Sequence, residues 1–317
     1  MAGAMRLFEH DDFRAILLQA AEDLDLPEQF VEKDYYVTEA LRIAVATFGD
    51  DVVFKGGTSL SKGWDLIDRF SEDLDLFLIP GTRSKKAVDR DLRSLRDRIQ
   101  DHPALEFDVA ASQTFGGFGR DDYFSYATHF NAIPGLPTSI KVEIGIQSGD
   151  HPLEVRPISS LVSNSLRNRD LANIADDLEP FDMQFLHFRR TFIEKLFTIH
   201  GKIERLKSDG VPLARDTRHY ADLYVLADQR EVLDMLGTRE DREIREDYDA
   251  KSREFFPKSY RPPEGLTFRE SDAIFLTGDA HASVQSDYDI ECERLFRHAP
   301  PAFDDVLKRL QDLASRL

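Results

Sequence analysis

Residues 73–78 read DLDLFL, with carboxylate and leucine in strict alternation before an apolar end. A two-residue period fits an extended strand, in which successive side chains point to opposite faces. A strand over 73–79 places Leu74, Leu76 and Leu78 on one face, and Ser71, Asp73, Asp75 and Phe77 on the other. The chain must therefore build a sheet with a buried apolar face and carry two carboxylates on the opposite one. At a rise of roughly 3.3 Å per residue those carboxylates are about 7 Å apart along the strand. Carboxylates that close repel unless a cation bridges them, and hard oxygen ligands suit Mg²⁺ or Mn²⁺. Taken alone, an Asp-x-Asp pair is more often the mark of a solvated strand edge.

The residues upstream tilt that balance. A short strand, DVVFKGG, runs into GGTSLSK at 56–62. This stretch can turn tightly and offer backbone N–H groups and hydroxyls to a phosphate. Gly56, Gly57, Thr58, Ser59 and Lys62 are thus candidate nucleotide-binding residues. The GxxxxGK[ST] spacing of a P-loop is absent. A third acid comes from SIKVEIGIQ, where Ile140, Val142, Ile144 and Ile146 alternate with Lys141, Glu143, Gly145 and Gln147. Glu143 reads as a metal ligand, a base or a plain surface residue on a neighbouring strand.

Along the chain, residues 8–48 read as two helices broken at Pro27, and helices are expected at 63–68 and 84–100. Strand-like segments follow at 105–113, 122–132 and 139–147, separated by turns such as TFGGFGRDD and IPGLP. From about residue 177 the pattern is helical, at 182–208, 216–228, 239–255, 287–296 and 301–317. The expectation is an α+β fold, with a core over 1–176 and a helical domain over 177–317.

The chain has no apolar run approaching the ~18 residues of a membrane span. The opening MAGAMRLFEHDDF lacks a secretory layout, and Cys292 is the only cysteine, so a cytoplasmic protein without disulfides is expected. The net charge of −18 opposes non-specific nucleic-acid binding, though it leaves room for a local basic groove.

KGGTSLSKGWDLIDRFSEDLDL closely resembles the opening motif of the AbiEii/AbiGii (MenT-like) toxins, a branch of the DNA polymerase β-like nucleotidyltransferases. VEKDYYVTEAL, FIEKLFTIHGK, RHYADLYVL and the closing SDYDIECERLF…APPAFDDVLKRLQDL are similar to later family segments, so the resemblance spans nearly the whole chain. It implies a mixed sheet flanked by helices, a divalent metal and an NTP donor. Gly57 and Ser59 match the family's triphosphate loop, and Asp73 and Asp75 its metal-binding acids. Lys195 matches its lysine on the first long C-terminal helix, and Asp222 its later aspartate, with Asp216 close by as the alternative. The family usually shows EKDYW where this chain has EKDYY.

On the expected helix 182–208, Phe185, Phe188, Phe192, Leu196, Ile199, Ile203 and Leu206 form an apolar stripe, with Lys195 at its border. There a lysine can bury its stem and project its ammonium. Arg189, Arg190, Lys202, Arg205 and Lys207 make this helix the best candidate for a basic surface, with Arg167 and Arg169 of SLRNRD as further cations. Ser71 shares the face of Asp73, where a phosphate would oppose metal binding.

The functional expectation is a Mg-dependent nucleotidyltransferase toxin. Its acceptor would be an RNA, most naturally the tRNA 3′ end, and a cognate antitoxin would be its partner. An antibiotic-modifying nucleotidyltransferase and a non-catalytic nucleotide sensor are the alternatives.

Overall fold

The structure, a computed structural model, describes residues 5–69, 73–133, 136–169, 171–296 and 298–317. Ser71 lies outside the described residues. The chain divides into two compact units. The first comprises Met1–Gly63, Glu72–Ile146 and Glu154–Phe185, and the second Trp64–Ser71, Gln147–Leu153 and Leu186–Leu317. These boundaries differ from a contiguous division at residue 176.

The first unit contains α1 (Phe13–Leu24), α2 (Glu28–Phe48), β1 (Val52–Lys55), α3 (Gly56–Lys62) and β2 (Asp73–Leu78), followed by α4 (Lys85–Gln100). Then come β3 (Glu106–Phe115), β4 (Gly119–Ser125), β5 (Ser139–Gly145), β6 (Leu153–Ile158), α5 (Leu161–Arg167) and β7 (Phe181–Leu186). Among the described residues the strands form one mixed sheet in the order β3-β4-β5-β2-β1-β7-β6. β2 runs antiparallel to β1 and parallel to β5, so it lies in the interior of the sheet. Leu74, Leu76, Leu78, Ile140, Val142 and Ile144 are buried as the alternation requires. The mixed sheet flanked by helices is the expected α+β fold.

Several local readings change: the strand expected at 122–132 is β4, Gly119–Ser125, and β6 and α5 stand where no element was expected. GGTSLSK is itself the helix α3, and the helix expected at 63–68 is absent from the described residues there. The first part of the expected helix 182–208 is the strand β7, which pairs parallel with β1. In FDMQFL the two-residue alternation of Phe181, Met183 and Phe185 competes with the helical stripe, and sheet pairing decides in its favour. Phe185 thus packs on Phe54 in the sheet, at 5.3 Å between ring centroids.

EKDYY sits on α2, which buries more residues than any other helix of this unit. Glu32 accepts from the His129 backbone N at 3.0 Å, and Lys33 donates to the Pro137 carbonyl at 3.2 Å. Asp34 accepts from Lys62 Nζ at 2.6 Å and from Leu161 N at 2.7 Å. The Tyr35 hydroxyl donates to Asp177 at 2.5 Å, and Tyr36 stacks on Tyr126 at 4.4 Å. Every polar member of the motif is therefore a tie between α2 and another segment.

Glu39, one turn further on, is 3% exposed. Burial and the nearby Asp177 carboxylate push its carboxyl up to about 7, although Arg42 donates to it at 3.0 Å. A carboxyl raised in the folded state contributes its stability below its unfolded value, and loses it as pH rises through the folded one. Glu39→Gln removes that loss. Urea unfolding should therefore show the variant gaining on the wild type between pH 4.5 and 7.5, by on the order of 3 kcal/mol. A difference that stays flat across this range would show that Glu39 titrates normally.

The second unit contains α6 (Phe188–Asp209), α7 (Arg218–Leu226), α8 (Arg230–Met235), α9 (Arg239–Phe255), α10 (Gly278–Leu295) and α11 (Phe303–Leu313). Phe188, Phe192, Leu196, Ile199 and Ile203 bury the stripe of α6. His187 caps its start by accepting from Arg189 N at 3.3 Å, and Gly210, at φ 67°, ends it in the left-handed region. No helix among the described residues is long and apolar enough to cross a membrane.

Candidate active site

In the first unit, strand register assembles what the sequence scatters. Asp121 on β4 pairs with Glu143 on β5, Glu143 with Asp75 on β2, and Asp75 with Lys55 on β1. Two residues along, Tyr123 pairs with Lys141 and Lys141 with Asp73. Residues opposed in register share a face. One face of the sheet therefore carries four carboxylates (Asp73, Asp75, Glu143 and Asp121) against Lys55 and Lys141.

Asp121 is a residue the sequence reading missed. In GRDDYFS it stands beside Asp122, and only the pleat separates them. Asp122 faces the other way and pairs with buried Arg120 at 2.8 Å, whereas Asp121, 8% exposed, accepts from Lys141 at 3.1 Å. Phe124 follows Asp122 at the next position of the same face and is fully buried, and this alternation was the available signal.

The acids strain against one another. Burial and the charge of Asp75 push the Glu143 carboxyl up to about 7, against the bond that Lys141 donates to it. No described residue donates a hydrogen bond to the Asp75 carboxylate. A crowded set of hard oxygen donors with too little positive charge fits a divalent cation. No three His, Cys, Asp or Glu side chains among the described residues are arranged to hold one metal ion. Mg²⁺ commonly takes one or two carboxylates and completes its shell with water and substrate phosphates. Asp73 and Asp75 fit that pattern. Glu143 is engaged by Lys141, so it does not complete a ready-made set of three.

α3 is built against this face. Gly56 has φ +74°, and a Cβ there would lie 2.0 Å from Asp75 Oδ2. Only glycine allows both the backbone conformation and the close approach. The Thr58 hydroxyl donates to the Asp73 carbonyl, and Ser59, fully buried, donates to the Gly56 carbonyl at 2.8 Å. Lys62 donates to Asp34 and to the Ser159 carbonyl at 3.0 Å. These hydroxyls and this lysine are thus spent on holding the loop and the strand together. Gly57 is buried within the same turn.

The second unit holds the other two matched residues. Asp222 on α7 is fully buried and accepts two bonds from Arg69, Nε to Oδ1 and Nη2 to Oδ2, each at 2.7 Å. Lys195 Nζ lies 2.8 Å from Asp222 Oδ2 and 3.0 Å from His219 Nδ1. Burial opposes the charge on Asp222, but Arg69 and Lys195 hold its carboxyl well below the usual range. Burial, with Lys195 beside it, lowers His219 to about 4, so the imidazole is neutral. Asp216 instead pairs with Lys202, so Asp222 is the aspartate that meets Lys195. Arg69 lies inside the opening motif KGGTSLSKGWDLIDRFSEDLDL, but nothing in its spacing singles it out as the partner of Asp222.

The expected basic surface of α6 is largely neutralised. Arg189 pairs with Glu231 and Glu240, Arg190 with Glu194 and Asp247, Lys202 with Asp216, and Lys207 with Glu204 and Asp272. In the first unit Arg169 pairs with Asp23, and Arg167 donates to the Leu178 carbonyl. Glu194 and Glu204 lie on α6 itself, but the other acids come from segments remote in sequence, so counting charges on one helix overstates its field.

The family model for the nucleotidyl transferase AbiEii toxin of type IV toxin–antitoxin systems matches residues 40–309. The chain belongs to the AbiEii family. Membership makes it a nucleotidyltransferase toxin of the type IV class, with an NTP substrate and an antitoxin partner. Comparison with curated proteins and with solved structures gave no match.

For this AbiEii protein, Gly56→Ala should act mainly on the acids. The left-handed backbone costs about 1–2 kcal/mol with a Cβ, and the Asp75 side chain must leave its place. Nucleotidyl transfer should fall about tenfold or more, beyond what the drop in melting temperature explains. Full activity in a folded variant would show that Asp75 need not stand where Gly56 admits it.

Proposed function

We propose that the chain transfers a nucleoside monophosphate from an NTP to the 3′ end of an RNA, the tRNA acceptor end above all. The observation that carries this reading is the register that brings Asp73, Asp75, Glu143 and Asp121 to one sheet face beside α3. The acceptor oxygen bonds to the α-phosphorus, the bond to the β-phosphate bridge breaks, and pyrophosphate leaves. Asp73 and Asp75 would hold Mg²⁺, which when bound neutralises charge on the donor phosphates. Glu143, at about 7, is suited to take the acceptor hydroxyl's proton near neutral pH. Gly57 and Ser59 are assigned to the triphosphate through the backbone of α3. By the family match Lys195 is assigned a part in transfer, with Asp222 orienting it.

The RNA acceptor rests on the resemblance to MenT-like toxins. With the cations of α6 paired, few phosphates are available for neutralisation, and RNA affinity should fall with salt by a shallow slope. The decisive experiment incubates the protein with each labelled NTP, Mg²⁺ and total RNA. Label on RNA of tRNA size is the expected result. Label on an aminoglycoside or another small hydroxyl compound, and never on RNA, would establish the antibiotic-modifying alternative.

A further inference from the structure

A cavity of about 210 Å³ lies in the first unit, lined by Arg6, Ile43, Ala46, Thr47, Arg98, Asp101 and His102. α2 supplies its apolar wall, and the last turn of α4 with the turn beyond it supplies Arg98, Asp101 and His102. None of these residues belongs to the acidic sheet face.

Its polar groups are mostly donors without acceptors. His102 is 2% exposed, and its Nδ1 accepts from the Ala104 backbone N at 3.2 Å. With Nδ1 accepting, the proton of the neutral ring sits on Nε2. Nε2 is buried and has no hydrogen-bond partner. The nearest acid, Glu39 Oε2, is 3.9 Å away, too far for a bond. Arg6 Nη1 is likewise buried and unpartnered. Arg98 is exposed, and no ion pair or hydrogen bond from the described residues reaches its guanidinium. Buried donors are nearly always satisfied, so two orphans beside one cavity call for an acceptor.

We propose that this cavity binds a small oxyanion, a phosphate group, held by Arg6, Arg98 and the Nε2–H of His102. A cation is disfavoured, because the imidazole presents a proton there and two guanidiniums stand beside it. Asp101 is the one acid in the lining. Arginine matches the fork geometry of phosphate oxygens. A water's share of the liquid is about 30 Å³, so the cavity has room for a tetrahedral anion and some of its hydration. Burial raises Glu39 to about 7, which reduces the opposing charge nearby.

The test uses the full chain and the ¹⁵N imidazole resonances of His102, titrated in parallel with inorganic phosphate, AMP and acetate. Phosphate should shift the Nε2 resonance saturably, and acetate should bind about tenfold more weakly or worse. Arg98→Ala, at an exposed and unpaired position, should keep the fold and weaken phosphate by about tenfold, as should Arg6→Ala. A response to AMP without one to inorganic phosphate would support the site and assign it to a nucleotide's phosphate. A silent His102 with both, acetate binding as well as phosphate, or affinities unchanged in both arginine variants would overturn the proposal. None of these readouts depends on nucleotidyl transfer.

Discussion

Asp222→Ala is expected to destabilise the protein by about 3–5 kcal/mol, the usual consequence of removing one partner from a buried ion cluster. Asp222 is fully buried, and it is the carboxylate shared by Arg69, which is 1% exposed, and Lys195, which is 5% exposed. Its loss leaves two buried cations facing each other. Lys195→Ala behaves differently, since the bidentate Arg69–Asp222 pair survives and the cluster becomes neutral. Its melting temperature should stay much closer to that of the wild type. Chemical denaturation of the two variants side by side measures the contrast. Comparable losses would mean that Lys195 is as structural as Asp222. Loss of transfer in a stable Lys195→Ala protein would place that lysine in the chemistry.

Asp75→Asn should lower nucleotidyl transfer by at least on the order of a hundredfold while leaving stability intact or improved. The substitution keeps the shape that Gly56 accommodates and removes one carboxylate from the row. The charge of Asp75 is a principal reason, after burial, that Glu143 stands at about 7. Glu143 is raised in the folded state, so its contribution to stability is present below its unfolded value of about 4.5 and lost as pH rises through 7. Removing Asp75 should lower the Glu143 value and lift stability above pH 7, but not below pH 4.5. Carbonyl-detected NMR titration of Glu143 reads the first effect, and melting temperature against pH the second. Undiminished transfer with the same shift in Glu143 would make the acidic row an electrostatic feature without a catalytic one.

How much of this could be read beforehand varied by kind of residue. Asp73 and Asp75 were legible because two-residue alternation is a local property and fixes their face. Gly56 was legible as a turn residue, but its actual constraint, an Asp75 oxygen where a Cβ would be, is a contact between the start of α3 and β2. Asp121 was only faintly legible beside Asp122, because two adjacent aspartates look alike apart from the Phe124 that follows Asp122 on its face. Arg69 stands in the family's opening motif but carried no sign of its partner, since Asp222 is reached only by folding.

α4, with Val88, Leu92, Leu95 and Ile99 buried, was legible to within a residue, whereas α10, expected from 287, begins at Gly278, and α8 was not expected. α3 and β7 were misread for the same reason. Each is short, so its local preference is weak and the sheet to which it attaches decides its form.

The sequence by itself determined which faces are apolar, where the paired carboxylates stand on their strand, and the family to which the chain belongs. Those are properties of spacing and of residue type. Tertiary structure alone decided that the two carboxylates meet Glu143 and Asp121. It also decided that Lys195 pairs with Asp222 rather than leaving a free ammonium, and that the cations of α6 are mostly spent on acids from other segments. Electrostatic neighbours are set by distances in space, and a strand register or an ion pair between remote segments has no periodic trace along the chain.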